Sequence, residues 1–185
     1  TAQGAPFSVD LRALRTSLLQ WYRKAGRDLP WRRDSDPYRV WLSEVMLQQT
    51  TVATVTPRFE RFLETYPTVR ALAKARRSSV LASWSGLGYY RRAAFLHEAA
   101  GLIVRDHGGV FPADPGARLP GVGDYTRAAV LSIAYGMPLA VVDTNVSRVL
   151  SRLYVLKGEA SGNAGRLKAL AQVLLPAGKA RSRSR

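Results

Sequence analysis

Apolar residues recur along this chain at intervals of three and four positions, which is the period of an amphipathic α-helix. The first such segment predicts a helix that has Ser8 as its N-cap and ends before Gly26. Its apolar face consists of Leu11, Leu14, Leu18 and Trp21. No segment alternates apolar and polar residues between turn signals, as a half-buried strand does. The pattern therefore predicts an all-α fold.

The pair Asp36-Pro37 is typical of the N-cap and first position of a helix, and it predicts a second helix that runs to about Gln49. The same periodicity predicts further helices over residues 54–65, 69–73, 79–84, 90–106, 125–135, 144–156 and 166–175. The chain ends in a stretch of alternating arginine and serine. Such a composition predicts a disordered basic tail over residues 179–185.

Twenty-eight Lys and Arg residues against thirteen Asp and Glu residues give a formal net charge of +15. This excess favours a polyanionic partner; nucleic acid is the leading candidate and an anionic membrane surface the weaker rival. No apolar run approaches the roughly 20 residues that span a bilayer, and no signal peptide is recognisable. We therefore expect a protein without a membrane partner that acts inside the cell, in the cytoplasm or, in a bacterium, with the nucleoid.

Cysteine is absent from the 185 residues. This excludes disulfides, thiolate nucleophiles and cysteine-ligated zinc or iron–sulfur sites within them. The two histidines cannot build a histidine-based metal site by themselves. The sequence therefore predicts no metal ligands.

A glycine-containing turn precedes the helix predicted from residue 125. Two glycines one residue apart allow positive φ and a close backbone approach, and the following helix offers free N–H groups and a positive dipole end. We therefore predict a hairpin that binds a phosphate of nucleic acid. The residues assigned to this contact are Leu119, Gly121, Val122, Gly123 and Thr126.

Two carboxylates have sequence surroundings of opposite kind. Glu44 has Trp41 and Leu47 three positions away on either side, and burial favours the protonated form that a general acid needs. The alternative is an exposed glutamate on a helix. Asp143 precedes the helix predicted from residue 144 and is expected to be its N-cap, where a carboxylate stays ionised. One acid and one anion form the arrangement that hydrolyses glycosidic bonds.

In nucleic acid the corresponding bond joins base and sugar, and it is shielded inside a duplex. An enzyme that cleaves it must flip the nucleotide out and fill the gap. Gln48-Gln49 and Tyr89-Tyr90 are suitable in type for entering the duplex. The alternatives are a polar helix end for the glutamines and an aromatic core contact for the tyrosines.

Several blocks of the chain, in one collinear order over about residues 8–175, match a known family. These blocks are Leu29–Arg32, Trp41–Thr50, Gly86–Tyr90, Leu119–Gly123 and Val142–Val149. They resemble the adenine DNA glycosylase (MutY) branch of the helix-hairpin-helix (HhH-GPD) base-excision glycosylases. The resemblance implies a central helical domain over residues 28–140 and a second helical lobe from residues 1–27 and 141–178, incomplete because its iron–sulfur segment is missing.

The resemblance also implies roles for four residues. Glu44 would protonate the adenine ring, and Asp143 would stabilise or trap the sugar cation. Tyr125 stands where bifunctional relatives carry a lysine that forms a Schiff base, so base removal without an efficient lyase step is expected. Tyr125 would support the carboxylates by hydrogen bonding, and Asn145 would help to order the site.

The family's substrate is adenine mispaired with 8-oxoguanine or guanine in double-stranded DNA, and a monomer is expected. Gln49 and Tyr89 would enter the duplex, with Gln48 beside them. The residues expected to line the base pocket are Trp31, Arg32, Leu47 and Val52.

Members of the family usually bind a [4Fe-4S] cluster through four cysteines, which this chain lacks, so no cofactor is expected in it. We therefore expect weak or no base release by the 185-residue chain. Two alternatives stay open. One is a thymine or uracil mismatch glycosylase of the same superfamily, and the other is a catalytically impaired DNA-binding protein.

Overall fold

The computed structural model describes residues 10–158 and 162–176, and in them the predicted all-α fold is confirmed. The helices in these ranges are α1 (Leu11–Ala25), α2 (Pro37–Leu47), α3 (Val52–Thr65), α4 (Val69–Lys74), α5 (Arg77–Ser83), α6 (Arg91–Asp106), α7 (Asp124–Tyr135), α8 (Thr144–Leu153) and α9 (Ala164–Leu174). A short 3-10 helix, Pro30–Arg32, precedes α2. Within the described residues the β pairing amounts to one isolated bridge, between Leu119 and Val122.

The start of α2 follows directly from local sequence chemistry. The Asp36 carboxylate accepts a hydrogen bond from the Arg39 N–H at 2.9 Å, and Pro37 occupies the first helical position. This arrangement satisfies one of the donors that a helix start leaves without a partner. The predicted start is confirmed. The helix ends at Leu47, two residues before the predicted end, because Gln49 has a left-handed φ of 56°.

Helix α1 differs from its prediction in two respects. The predicted N-cap, Ser8, lies outside the described residues, and the cap is Asp10, whose carboxylate accepts from the N–H groups of Arg12 and Ala13. None of its residues is buried, and Leu18 and Trp21 of the apolar face are 58% and 60% exposed. The pattern thus predicted the helix correctly, although it does not determine which helix faces are covered.

The described residues form two compact units, one from Leu29 to Met137 and one from residues 10–28, 138–158 and 162–176. In the first unit α4 packs on α6, and α2 packs on α3 and α7. Its largest side chains with less than 2% exposure include Trp41, Phe59, Phe62 and Trp84. This aromatic core stabilises the unit that contains all of the predicted site residues except Asp143 and Asn145.

The second unit, as far as the structure describes it, is built on α8 and α9. Its core includes Leu150, Tyr154, Leu167 and Leu170. Arg15 of α1 donates hydrogen bonds to the carbonyls of Val173, Leu174 and Leu175 at the end of α9. These carbonyls have no partner within their own helix, so one guanidinium both satisfies them and holds α1 to α9.

Within residues 10–158 and 162–176, none of the helices combines the length and the apolar character needed to cross a membrane. The predicted basic tail over residues 179–185 lies outside the described residues.

Candidate active site

Helix α2 holds Glu44 at the boundary between core and surface. Along α2, which begins after the Asp36 cap, the side chains of Trp41, Leu42 and Met46 are fully buried in the core, whereas Glu44 is half-buried. The alternative of an exposed glutamate therefore does not apply. Glu44 therefore lies beside an apolar core, and its role as a general acid stays a prediction.

The predicted base-pocket residues divide into core and surface positions. Trp31 is buried in the 3-10 helix, where its ring meets Phe59 edge-on with centroids 5.4 Å apart. Leu47 and Val52 are half-buried and pack on the same core. Arg32 is exposed. Three of the four therefore share one apolar cluster, and their contact with a base stays a prediction.

Two tight turns expose the residues that were predicted to enter the duplex. Gln49 has φ 56° and Tyr89 has φ 47°, and the third non-glycine residue of the described chain with positive φ is Val155. Such a conformation costs on the order of 1–3 kcal/mol per residue, and it often occurs at functional sites. Tyr89 and Tyr90 are 62% and 48% exposed, so the alternative of an aromatic core contact is wrong for both.

The hairpin before α7 is closed by the Val122 N–H, which donates to the Leu119 carbonyl at 3.1 Å, and both side chains are buried. The two glycines differ. Gly121 has φ 69°, and an added Cβ would lie 2.7 Å from the Cβ of Phe95. Gly123 has φ −75°, precedes α7 as its N-cap, and has open space where a Cβ would stand. The backbone of the hairpin therefore stays accessible at Gly123.

Replacing Gly121 by alanine is expected to lower the free energy of unfolding by about 2 kcal/mol. The left-handed conformation alone costs an L-residue about 1–2 kcal/mol, and the contact with Phe95 adds to that cost. Gly123→Ala is the matched control: alanine is a poorer N-cap than glycine, so stability should fall by no more than about 1 kcal/mol, while DNA affinity falls because the methyl group obstructs a phosphate. Urea unfolding and duplex titration measure the two effects. Equal destabilisation of both variants would contradict this assignment.

The first turn of α7 contains Tyr125 and Thr126. Tyr125 is partly exposed, and Asp124 beside it pairs with Arg127. Thr126 is buried, and its hydroxyl accepts a hydrogen bond from Nε2 of Gln48 at 3.3 Å. The hydroxyl of Thr126 therefore supports Gln48, and the predicted DNA contact of Thr126 stays a prediction.

Asp143 and Asn145 lie in the second unit. Asp143 caps α8, as predicted, with Oδ1 accepting from the Val146 N–H at 2.7 Å. Its Oδ2 accepts from Nδ2 of Asn145 at 3.1 Å, and Oδ1 of Asn145 accepts from Arg148 at 2.6 Å. Asn145 thus orients the second oxygen of the Asp143 carboxylate. The pairing of Asp143 with Glu44 of the first unit stays a prediction.

Metal-ligating side chains do not gather in the described residues: no group of three or more His, Asp or Glu residues there could hold an ion. With no cysteine in the sequence, these residues do not fit a thiolate-bound [4Fe-4S] cluster.

Comparison with known proteins identifies the family. The family profile for HhH-GPD superfamily base excision DNA repair proteins matches residues 42–175. The chain belongs to this superfamily. That range begins in α2 and includes Glu44, the hairpin and Asp143.

Relatives within the superfamily include the human adenine DNA glycosylase, 44% identical over 83% of this chain and 30% of the human protein. The adenine DNA glycosylase of Mycobacterium tuberculosis is 47% identical over 74% of this chain and 46% of that protein. A thermostable thymine-DNA glycosylase has a solved structure with a TM-score of 0.82 and 32% identity, covering 92% of this chain and 81% of that one. The chain spans less than half the length of the two adenine glycosylases.

Sequence reasoning missed Arg92, which binds more of the site backbone than any predicted residue. Nη1 of Arg92 contacts the carbonyl oxygens of Val45 (2.9 Å), Met46 (2.9 Å) and Gln48 (2.5 Å). Nη2 contacts the carbonyl oxygens of Leu87 (2.9 Å) and Gly88 (3.3 Å) and Oγ1 of Thr50 (3.0 Å). A signal was present, because Arg92 shares a helical stripe with the buried Leu96, Ala99 and Ile103 of this HhH-GPD chain. A charge on a buried stripe needs buried acceptors.

Proposed function

We propose that the chain is a DNA glycosylase that hydrolyses the N-glycosidic bond of adenine mispaired with 8-oxoguanine or guanine. One observation carries the proposal: α2 holds Glu44 half-buried and ends directly in the turn of Gln48 and Gln49. This arrangement lies in a region that is 44% and 47% identical to two adenine DNA glycosylases. A general acid next to a duplex-entering turn is what excision of a flipped base requires.

In the proposed mechanism Glu44 donates a proton to a ring nitrogen of adenine. The electrons of the glycosidic bond then move into the base as that bond breaks, and the sugar becomes an oxocarbenium-like cation. The Asp143 carboxylate stabilises this cation, and Asn145 holds the carboxylate in orientation. Water attacks C1′, and the proton it loses restores the acid. Since Tyr125 provides no amine, no Schiff base forms there and the sugar–phosphate strand stays intact.

The proposed partner is double-stranded DNA, bound by a monomer. The net charge of +15 supplies the sequence-independent attraction to phosphates. The accessible backbone at Gly123 is assigned to a phosphate, and Gln49 and Tyr89 are assigned to the space that the flipped adenine leaves. Arg32, Trp31, Leu47 and Val52 are assigned to the base.

A single-turnover assay with protein in excess tests the proposal. We expect slow release of adenine from duplexes in which it lies opposite 8-oxoguanine or guanine. Strand breaks should appear only when the reaction products are then treated with alkali. Guanine–thymine and guanine–uracil duplexes are the controls and should stay intact. Duplex binding without any base release would overturn the catalytic proposal in favour of a DNA-binding role.

A second candidate is excision of thymine from guanine mispairs. It is favoured by the thymine-DNA glycosylase structure, which matches 92% of the chain with a TM-score of 0.82. The same four duplexes separate the candidates, because release of thymine in place of adenine would assign the base pocket to a pyrimidine.

A further inference from the structure

We propose that Arg92 is a positioning residue that joins the two DNA-facing turns, Gln48–Thr50 and Leu87–Tyr89, into one rigid element. Through this joint, Gln49 and Tyr89 would enter a duplex with a fixed separation. The inference rests on the proposed function for its consequence on DNA. The joint itself is a property of the free protein and can be tested without DNA.

The Arg92 guanidinium binds both turns, and its Nη2 also contacts Oγ1 of Thr50 in the first turn. Nη1 binds carbonyls at the end of α2, which have no partner within their helix, and the positive charge suits that end of the helix dipole. Nη2 binds the carbonyls of Leu87 and Gly88. One planar group therefore fixes two segments separated by about 40 residues of sequence.

The bound carbonyls include those immediately before the two left-handed residues. Arg92 binds the carbonyl of Gln48, which precedes Gln49, and the carbonyl of Gly88, which precedes Tyr89. A non-glycine residue keeps positive φ when its surroundings over-determine the backbone there. The hydrogen bonds to Arg92 provide that restraint in both turns.

Side chains strengthen the same joint. Oγ1 of Thr50 accepts from Arg92, and its single hydrogen can be donated to the carbonyl of Gln48 at 3.3 Å or of Leu87 at 3.4 Å, so the hydroxyl lies within reach of both turns. The guanidinium carbon lies 5.4 Å from the ring centroid of Tyr89 and 5.6 Å from that of Trp84. The direction of the exposed Tyr89 ring is thereby coupled to Arg92 through a cation–π contact.

Lysine cannot reproduce this geometry. Its ammonium is a single point of three donors, whereas the arginine fork presents two nitrogens in one plane at a fixed separation. Arg92→Lys keeps the charge and removes the fork, so it tests the joint without removing the electrostatic attraction for DNA. Thr50→Val is a milder second variant of nearly equal volume, which removes the bridging hydroxyl alone.

Hydrogen–deuterium exchange on the full chain tests the joint. In Arg92→Lys we expect the rate of amide exchange to rise by about tenfold or more both at residues 48–50 and at residues 87–89, while the rate in α4 stays unchanged. In Thr50→Val the exchange rates of both turns should also rise, but by a smaller factor. Arg70→Lys is the matched control, because Arg70 binds the Gly108 carbonyl, which belongs to neither turn. An increase in amide exchange in one turn alone, or in neither turn, would overturn the inference that Arg92 connects them. So would equal loosening in the control.

DNA binding tests the consequence. A 2-aminopurine beside the target adenine reports unstacking by its fluorescence. We expect Arg92→Lys to bind matched duplex with a Kd within about twofold of that of the unmutated chain, but to show no fluorescence rise. Its rate of base release should fall by up to about 100-fold, since a misplacement of reacting groups by about 1 Å can reduce a rate by that factor. An unchanged fluorescence rise in Arg92→Lys overturns the inference. If the unmutated chain gives no fluorescence rise while amide exchange increases in both turns of Arg92→Lys, the connection through Arg92 is supported and the result counts against the proposed function.

Discussion

Replacing Glu44 by glutamine is expected to abolish base release while duplex binding and folding persist. Glutamine has nearly the same shape as glutamate and can occupy the half-buried position on α2 without moving Trp41 or Met46. It has no acidic proton to give to the leaving base. Protonation is the step that turns adenine into a leaving group, so its loss affects the rate and not the affinity.

The magnitude follows from the role. A positioned general acid contributes typically about 10²- to 10⁴-fold to a rate. Since slow turnover is expected from this chain, a loss of that size takes base release in Glu44→Gln down to the level of DNA alone. The measurement is single-turnover release from the 8-oxoguanine–adenine duplex, together with a binding titration and a thermal melt.

Glu98→Gln provides the control, because Glu98 is an exposed glutamate on α6. It loses the same charge and should retain the rate of the unmutated chain. A Glu44→Gln variant that releases adenine at a normal rate would remove Glu44 from the chemistry. The role of the acid would then have to pass to another group.

The start of α2 was predictable from sequence because its cause is local. An Asp-Pro pair caps a helix with groups at most three residues apart, whatever the rest of the chain does. The N-cap role of Asp143 was predictable for the same reason. Burial is different, since the apolar face of α1 would be covered or exposed according to partners that its own sequence does not specify.

Arg92 shows what sequence patterns leave out. Five of its six acceptors are backbone carbonyls, and every residue has a carbonyl whatever its side chain. The sequence can indicate that an arginine lies on a buried stripe, but the fold decides which carbonyls converge on it. The same holds for Gly121 and Gly123, which are the same residue type in one short turn. Gly121 lies inside the Leu119–Val122 bridge and has φ 69°, whereas Gly123 lies outside it and has φ −75°.

Replacing Asp143 by asparagine is expected to remove most base release while costing little stability. Asparagine caps helices about as well as aspartate, so its Oδ1 can still accept from the Val146 N–H. The negative charge that would stabilise the sugar cation is lost. Removing one group that stabilises developing charge typically costs about 10²- to 10³-fold in rate, and single-turnover release measures that loss.

Asp143→Ala separates the two roles of this carboxylate, because it removes both cap and charge. It should lose about 0.5–2 kcal/mol of stability in addition to the rate. Asp10→Ala is the matched control: Asp10 caps α1 within the same unit, so its loss lowers stability by a similar amount and leaves base release unchanged. If Asp143→Asn kept the full rate while Asp143→Ala lost it in proportion to stability, Asp143 would be a helix cap and no more. Activity that tracks charge at position 143 and ignores the cap at position 10 would place the carboxylate in the chemistry.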